Sequence, residues 1–296
     1  MVPSSLNRDR SGPLYALLAY GSWGLFPLYW KLFNGVSALE ILSHRMIWSL
    51  VLLLGLLALL GRGQELLKVL RSPQTLAMLL ASAALLACNW GVYIYGVNSD
   101  RVVEASLGYF INPLVSVLLG FFCLGERLGR WQRGAVAIAA LGVVLFILKV
   151  GQVPWIALIV AFTFAFYGLL RKLANVAPMV GLAIETLLLT PVAIGFLLYL
   201  HGKGIGHFGQ GVEQTLLFVG AGGVTSLPLL WFNNAAKRLT LATLGFFQYL
   251  APSAQFLLGV FLFREPFTRD YQVMFGFIWL ALVLYSVSSW RGKAPA

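Results

Sequence analysis

A small group of ionisable side chains lies inside long apolar stretches of this sequence. His44 and Arg45 are adjacent, Glu40 lies one helical turn before His44, and Glu104 and Glu185 fall in two later stretches. A charge inside a hydrocarbon layer costs about 3 kcal/mol or more, which makes each of these residues a candidate for function. An arginine keeps its proton there and needs an anionic partner, whereas a histidine or glutamate can exchange a proton.

Two interpretations of this group are open. In the first, Arg45 binds a substrate carboxylate while His44 or a glutamate exchanges protons. In the second, Arg45 and one of the three glutamates form a fixed internal ion pair that holds helices together. Both satisfy the need to compensate a desolvated charge, so the sequence does not choose between them.

Aromatic and amide side chains in the middle of apolar stretches can complete a binding pocket. Many aromatic residues instead form belts at the two membrane surfaces. The candidates for the pocket are Trp23, Asn89, Trp90, Tyr93, Tyr109, Asn112, Trp231, Asn233, Gln248, Tyr249 and Gln255.

The patterns required for enzyme chemistry are missing from the sequence. Asp9, Asp100 and Asp270 lie in the predicted tail or loops, so no pair of intramembrane aspartates can form. There is no HExxH motif or Walker-type glycine loop, and the three histidines are dispersed. We therefore predict a non-enzyme with no metal or cofactor, which depends on a gradient for energy.

The composition is that of a membrane protein. Hydrophobic residues make up 59% of the 296 residues, charged residues make up 10%, and the mean hydropathy is +0.85. A soluble core cannot bury so much apolar surface. The net charge of +11 is spread over short loops, which favours membrane topology and argues against a nucleic-acid partner.

Ten apolar segments are long enough to span a bilayer as helices, which predicts an all-α polytopic fold. They run approximately over residues 14–32, 38–60, 75–97, 102–124, 131–148, 153–170, 178–200, 214–236, 241–263 and 271–290. With the N-terminus inside, fourteen Lys and Arg residues fall on the cytoplasmic side and six on the other. This asymmetry supports an inner-membrane protein and predicts that both termini lie in the cytoplasm.

The two halves of the chain resemble each other at an offset near 140 residues. The sequence ASLGYF from Ala105 matches ATLGFF from Ala242, and Pro113 matches Pro252. We predict a tail over residues 1–12, five-helix repeats over 13–150 and 151–290, and a tail over 291–296. Five is an odd number, so the second repeat is inverted, which suits alternating access. Duplication also builds channels and inert scaffolds, and that alternative stays open.

The two matched prolines predict breaks or bends in the fourth and ninth helices. Carbonyl groups freed beside Asn112 and Gln248 would then form a polar cavity at similar depth in both halves. A kink packed against neighbouring helices is the alternative for each. Glu265, which follows Arg264 at a helix end, is expected to form a solvated ion pair.

Several motifs carry a resemblance to a known family. EILSHRMIWS from Glu40, CNW from Cys88, EASLGYFINP from Glu104 and TLGFFQY from Thr243 are similar to RarD proteins, as is FAFYGLLRK in the sixth segment. These proteins belong to the EamA branch of the drug/metabolite transporter superfamily. The resemblance runs from about Tyr20 to Trp290. It implies ten helices in inverted repeats, a central cavity and cytoplasmic termini, and it leaves the substrate class open.

These observations together predict a secondary transporter, an exporter, that moves a small amphipathic metabolite or drug by alternating access. Its partners would be that small molecule and the membrane lipid, with proton coupling possible through the buried glutamates or His44. The rival hypothesis is a non-transporting membrane scaffold or regulator with the same fold. The glycine-rich loop from His201 to Glu213 is expected to be a variable connector.

Overall fold

The computed structural model describes residues 11–125, 129–239, 244 and 247–291, and these residues form helices without any β-strand. The α-helices are α1 Ser11–Lys31, α2 Ala38–Leu59, α3 Gly63–Leu70, α4 Pro73–Asn98, α5 Val102–Leu124, α6 Arg130–Val150, α7 Trp155–Ala174, α8 Pro178–Gly202, α9 Val212–Arg238, α10 Leu250–Leu257 and α11 Arg269–Arg291. A π-helical turn over Leu258–Leu262 continues α10. We call the side on which α1 begins the N-terminal face and the opposite side the far face.

Eight of the described helices are long and apolar enough to cross a membrane, namely α2, α4 to α9 and α11. α1 falls outside that group although it has 21 residues. The ninth predicted span begins at residues 241–243, outside the described residues, and continues as the short α10 with its π-helical turn. The predicted all-α polytopic membrane fold is confirmed.

Local signals fix where the spanning helices begin and end. The Ser37 hydroxyl accepts a hydrogen bond from the Glu40 backbone at the start of α2, and Ser72 does the same for Thr75 at the start of α4. Gly125 and Gly151 adopt the left-handed conformation that ends α5 and α6, with φ of 67° and 71°. These residues set where α2 and α4 begin and where α5 and α6 end.

The short α3 is absent from the sequence prediction, which treated its residues as a loop. Leu66, Val69 and Leu70 pack against the core, while Leu67 is exposed. This apolar face explains why the segment lies along the N-terminal face rather than projecting from it.

The two intramembrane prolines behave differently. α5 continues as a helix through Pro113. Pro252 is the third residue of α10, where proline is tolerated because the first amides of a helix lack helical acceptors. The interruption lies just before it, where Gln248 and Tyr249 form a turn.

Helix packing joins the two halves of the chain. α5 packs on α7 as α10 packs on α1, and α4 packs on α7 as α9 packs on α1. α2 contacts α8, and α6 contacts α11. The helices α1, α2, α4, α5 and α6 correspond in order to α7, α8, α9, α10 and α11. When each helix is exchanged for its counterpart, these contacts map onto one another. Small residues permit the closest approaches: a Cβ at Gly108 would lie 2.6 Å from the Ala157 carbonyl oxygen, and one at Gly24 would lie 2.6 Å from Ala254 Cβ.

Candidate functional site

A central cavity of about 580 Å³ lies among α1, α2, α4, α5, α7, α8, α9 and α10. Its lining reaches the N-terminal face at Lys172 and Pro178. At the other end lies Arg45, about 10 Å below the far-face end of α2 at 1.5 Å per residue. Beyond Arg45, the fully buried rings of Trp30 and Phe33 pack together. The cavity therefore extends toward the N-terminal face.

The predicted substrate-binding set combines Arg45 and His44 with eight of the pocket candidates, and seven of these ten residues line the cavity while three do not. The seven are Trp23, Arg45, Trp90, Tyr93, Tyr109, Asn112 and Gln248. His44, Asn89 and Tyr249 lie elsewhere. Gln255 also lines the cavity, Trp231 does not, and the Asn233 side chain is outside the described residues.

Arg45 is buried against aromatic rings. Its guanidinium carbon lies 3.7 Å from the centroid of the Trp90 ring and 5.0 Å from that of Trp30. Only 3% of the residue is exposed, and Nε and Nη1 have no hydrogen-bond partner within the described protein. The internal ion-pair alternative is not observed for Arg45, because Glu40, Glu104 and Glu185 pair with other described residues. The rings offset part of the cost of burial through cation–π attraction, but they leave the N–H groups unsatisfied.

Two amides that were predicted to line the cavity attach neighbouring helices to α7. Asn89 Nδ2 donates to the Val160 carbonyl at 2.9 Å, and Asn112 Nδ2 donates to the Ala161 carbonyl at 3.0 Å. The Tyr109 hydroxyl donates to Asn89 Oδ1 at 3.4 Å. Asn89 thus lies behind the cavity wall and positions Tyr109 within it.

Glu185 lies directly behind the cavity wall and is 1% exposed in its side chain. It accepts a hydrogen bond from Ser82 at 2.5 Å and one from Tyr167 at 3.4 Å. Arg171 Nε lies 3.7 Å from its Oε1 atom. Tyr167 and Arg171 line the cavity, so this carboxylate is linked to the cavity by two side chains.

Sequence reasoning missed Tyr167 and Arg171. With Phe164 they occupy positions i, i+3 and i+7 of α7, so one face of that helix lines the cavity. This spacing was visible in the sequence. Arg171 was instead counted among the loop cations.

Glu40 lies at the far face and His44 lies one helical turn deeper, and neither residue lines the cavity. Glu40 accepts from the His207 backbone N–H at 2.6 Å, and its other oxygen lies 2.8 Å from His207 Nδ1. His44 stacks on Phe208 at a centroid distance of 4.7 Å and contacts the tilted ring of Phe218 at 4.1 Å. The loop that was expected to be a connector therefore closes over the far-face end of α2.

Two other glutamates bind backbone amides at the far face. Glu104 pairs with Arg101 at 2.5 Å and accepts from the Ile156 N–H of α7 at 3.0 Å. Glu265 accepts from the N–H groups of Val102 and Val103, each at 2.7 Å. Each carboxylate lies at the N-terminus of a helix from the other half, where the helix dipole favours an anion.

Glu265 differs from its expected solvated state, because it is only 7% exposed. Burial raises the pKa of its carboxyl, while the two backbone hydrogen bonds and the charge of Lys31 act in the opposite direction. Its bonds to the backbone of α5 replace the predicted surface ion pair.

Replacing Glu265 with Ala is expected to destabilise the protein by about 2 kcal/mol, because two buried N–H groups at the start of α5 lose their acceptor. The midpoint of thermal unfolding in detergent measures this effect. Glu213→Ala is the matched control, because Glu213 is exposed in the first turn of α9. Equal midpoints for the two variants would contradict the capping role.

Within the described ranges, no three His, Cys, Asp or Glu side chains come together as metal ligands would. The cavity lining is largely apolar. Aromatic and aliphatic walls surround a few fixed polar groups, as in other small-molecule sites.

Comparisons with known proteins agree with this architecture. Residues 10–148 match the EamA-like transporter family. An uncharacterized transporter of Vibrio cholerae is 47% identical over 288 residues, which cover 97% of this chain and 95% of that protein. Protein RarD of Escherichia coli is 46% identical over 279 residues, covering 94% of each, and Protein RarD of Streptomyces exfoliatus is 45% identical, covering 96% of this chain and 91% of that one.

A protein of known crystal structure shares the fold, with a TM-score of 0.59 over 93% of this chain and 96% of that chain at 19% identity. The helical architecture, the cavity and the similarity along the whole chain agree. This chain belongs to the RarD family, in the EamA branch of the drug/metabolite transporter superfamily, and is a multi-pass membrane protein of a bacterial transporter family.

Proposed function

We propose that this protein is a secondary transporter that exports a small amphipathic metabolite or drug through its central cavity. The observation that carries the proposal is the cavity itself, which reaches one face of the helix bundle and ends near Arg45. Its volume of about 580 Å³ falls in the usual range for small-molecule sites. Aromatic walls suit an apolar body, and Arg45, Asn112 and Gln255 supply polar contacts.

The transport cycle proposed is alternating access. The chain would consist of two inverted five-helix repeats, and the matching helix contacts described above support this division. At the far face, Glu265 bonds to α5 and Glu40 bonds to the loop before α9. These contacts must separate for the cavity to open there. Exchange of the two halves would then produce the opposite opening.

We further propose that the protein lies in the bacterial inner membrane with both termini in the cytoplasm. The excess of Lys and Arg on the N-terminal face supports this orientation. The cavity would then load from the cytoplasm, which favours export. Glu185 is the candidate for proton exchange, because its carboxylate reaches the cavity through Tyr167 and Arg171.

A bulky substitution in the cavity tests the proposal. Leu229 lines the cavity, whereas Leu227 on the same helix is 45% exposed on the outer surface. Leu229→Trp is expected to reduce transport at least tenfold because the indole fills the cavity, and Leu227→Trp is expected to retain more than half of the activity.

The measurement is uptake into proteoliposomes of a panel of small amino acids, organic acids, amines and neutral antibiotics. Both variants must first show the elution profile and thermal midpoint of the folded wild-type protein. If folded wild-type protein moves none of these compounds, the result counts against transport and favours a scaffold or regulator. If Leu229→Trp transports as well as Leu227→Trp, the central cavity is not the route.

A further inference from the structure

We infer that the substrate is an organic anion, a carboxylate or sulfonate with a flat apolar body, whose charged group binds to Arg45. This inference rests on the proposed function and deepens it by naming the substrate class. Three features of the cavity carry it: an uncompensated cation, a second unsatisfied donor, and a lining without carboxylates.

The first feature is the state of Arg45. The residue is 3% exposed and lines the cavity, and two of its nitrogens have no hydrogen-bond partner within the described protein. The glutamates that could neutralise it bind other groups: Glu40 binds His207, Glu104 binds Arg101 and Glu185 binds Arg171. A buried guanidinium without an anion is unfavourable, so the cavity gains stability from an anionic ligand.

The second feature is the hydroxyl group of Tyr93. Tyr93 is 2% exposed and lines the same cavity, and its hydroxyl has no hydrogen-bond partner among the described residues. The two rings of Tyr93 and Tyr109 meet edge to face at 5.7 Å, which fixes the orientation of Tyr93. A phenol can donate to a carboxylate or sulfonate oxygen, as can the guanidinium. A cationic ligand cannot satisfy the guanidinium.

The third feature is the charge of the lining. The charged residues among the described lining are Arg45, Arg171 and Lys172, all of them cations. Gln255 contributes an unpartnered amide oxygen, which fits an uncharged hydroxyl or N–H group. A ligand ammonium would have no carboxylate on this lining to pair with. The cavity therefore favours net negative charge over a zwitterion or a cation.

The body of the ligand follows from the rings that surround the space. Trp23 and Phe232 pack at 5.7 Å on one side, and Phe26 and Phe164 also line the cavity. Aromatic faces and edges bind planar apolar groups well. An arylalkyl anion thus meets both requirements, with its charged end toward Arg45.

The substrate charge also sets the driving force. In the proposed orientation an anion leaves a cytoplasm that is electrically negative, so the membrane potential favours its export. Transport should then carry net charge. A potential of the opposite sign should slow the same movement.

A charge-matched series tests the inference on the purified full-length protein. The probes are 2-phenylethanesulfonate as anion, (2-phenylethyl)trimethylammonium as cation, phenylalanine as zwitterion and 2-phenylethanol as neutral compound. Titration calorimetry in detergent is expected to show the sulfonate binding at least tenfold more tightly than each of the others.

Two substitutions locate the site. Arg45→Gln is expected to weaken sulfonate binding at least tenfold and to leave binding of 2-phenylethanol unchanged. Tyr93→Phe, which keeps the ring, is expected to weaken sulfonate binding about threefold or more. If Arg45→Gln does not fold, Arg45→Lys serves in its place, because lysine keeps the charge and loses the paired donors of the guanidinium. Arg45→Lys is expected to bind the sulfonate at least threefold more weakly than wild type.

Three results would overturn the inference. The cation, zwitterion or neutral compound binds as tightly as the sulfonate, or folded protein binds none of the four probes. The third is that the folded Arg45 variant binds the sulfonate as tightly as wild type does. Proteoliposome uptake of the same probes separates this failure from failure of the proposed function. If the neutral or cationic probe is taken up in preference to the sulfonate, and Leu229→Trp blocks that uptake, the anion inference is overturned. The proposal that the protein is a transporter would still stand. Failure of every compound in the wider panel would count against transport itself.

Discussion

Gly222→Ala is expected to destabilise the protein by about 2 to 3 kcal/mol, whereas Gly223→Ala at the next position is expected to be neutral or stabilising by up to about 1 kcal/mol. A Cβ at Gly222 would lie 2.5 Å from the backbone carbonyl carbon and oxygen of Trp48. A Cβ at Gly223 would meet nothing within 4 Å. A single methyl group, moved by one residue, should therefore have opposite effects.

The consequence of Gly222→Ala reaches the cavity because α2 must move to admit the new methyl group. Backbone atoms of a helix cannot rotate away as a side chain would, so α2 shifts as a unit on α9. Trp48 lies three residues after Arg45 on α2. Thermal midpoints by fluorescence-detected size exclusion measure the stability change, and binding of 2-phenylethanesulfonate reports the displacement of Arg45. Similar thermal midpoints for the two alanine variants would show that the contact between α2 and α9 is looser than the 2.5 Å distances at Gly222 indicate.

The fold was largely predictable because hydrophobic length and loop charge are strong signals in membrane proteins. The apolar segments marked the helices, since each backbone group in lipid must be satisfied within the segment. The short α3 was missed because its eight residues are too few to span. The turn at Gln248 and Tyr249 was expected near Pro252, but the proline itself begins a helix rather than breaking one.

The cavity residues were partly predictable, and their partners were not. Arg45 was identified because an arginine deep in an apolar segment is unusual. Arg171 was not identified as the partner of Glu185, because it lies near a helix end and was counted as a loop charge. Its long side chain instead folds back over Gly181, where any Cβ would collide with the guanidinium. A glycine one turn before a buried glutamate was the available signal.

Contacts between distant residues explain the remaining errors. Glu40 meets His207 across 167 positions, and Glu265 meets Val102 across 163. Neither contact follows from local spacing. Glu265 follows Arg264 at a predicted helix end, which suggested a solvated ion pair. Only the packing of α10 beside α5 brings its carboxylate to the N-terminus of α5.

Glu185→Gln is expected to abolish the response of transport to a pH gradient while leaving the protein folded. Ser82 and Tyr167 donate to different oxygens of the carboxylate, so the amide keeps an acceptor for one of them, but it cannot bind and release a proton. Arg171 then faces an uncharged partner, and its remaining bonds to the Val176 and Pro178 carbonyls help to retain it. Glu185→Ala removes every acceptor and is expected to cost about 3 to 5 kcal/mol of stability.

The measurement uses proteoliposomes that contain a pH-sensitive dye, loaded with whichever charge-matched probe the wild-type protein transports. An imposed pH gradient is expected to change wild-type flux severalfold and Glu185→Gln flux by less than a tenth of that change. Glu104→Gln is the control, because its side chain binds Arg101 and the Ile156 backbone rather than the cavity wall. If Glu185→Gln keeps the full response, its carboxylate serves only as the partner of Arg171. If Glu104→Gln loses the response equally, proton exchange would belong to the far-face network instead. The two variants distinguish proton exchange at the cavity from proton exchange at the far face. Both carboxylates are buried and paired with arginine, but only Glu185 reaches the cavity through its partners.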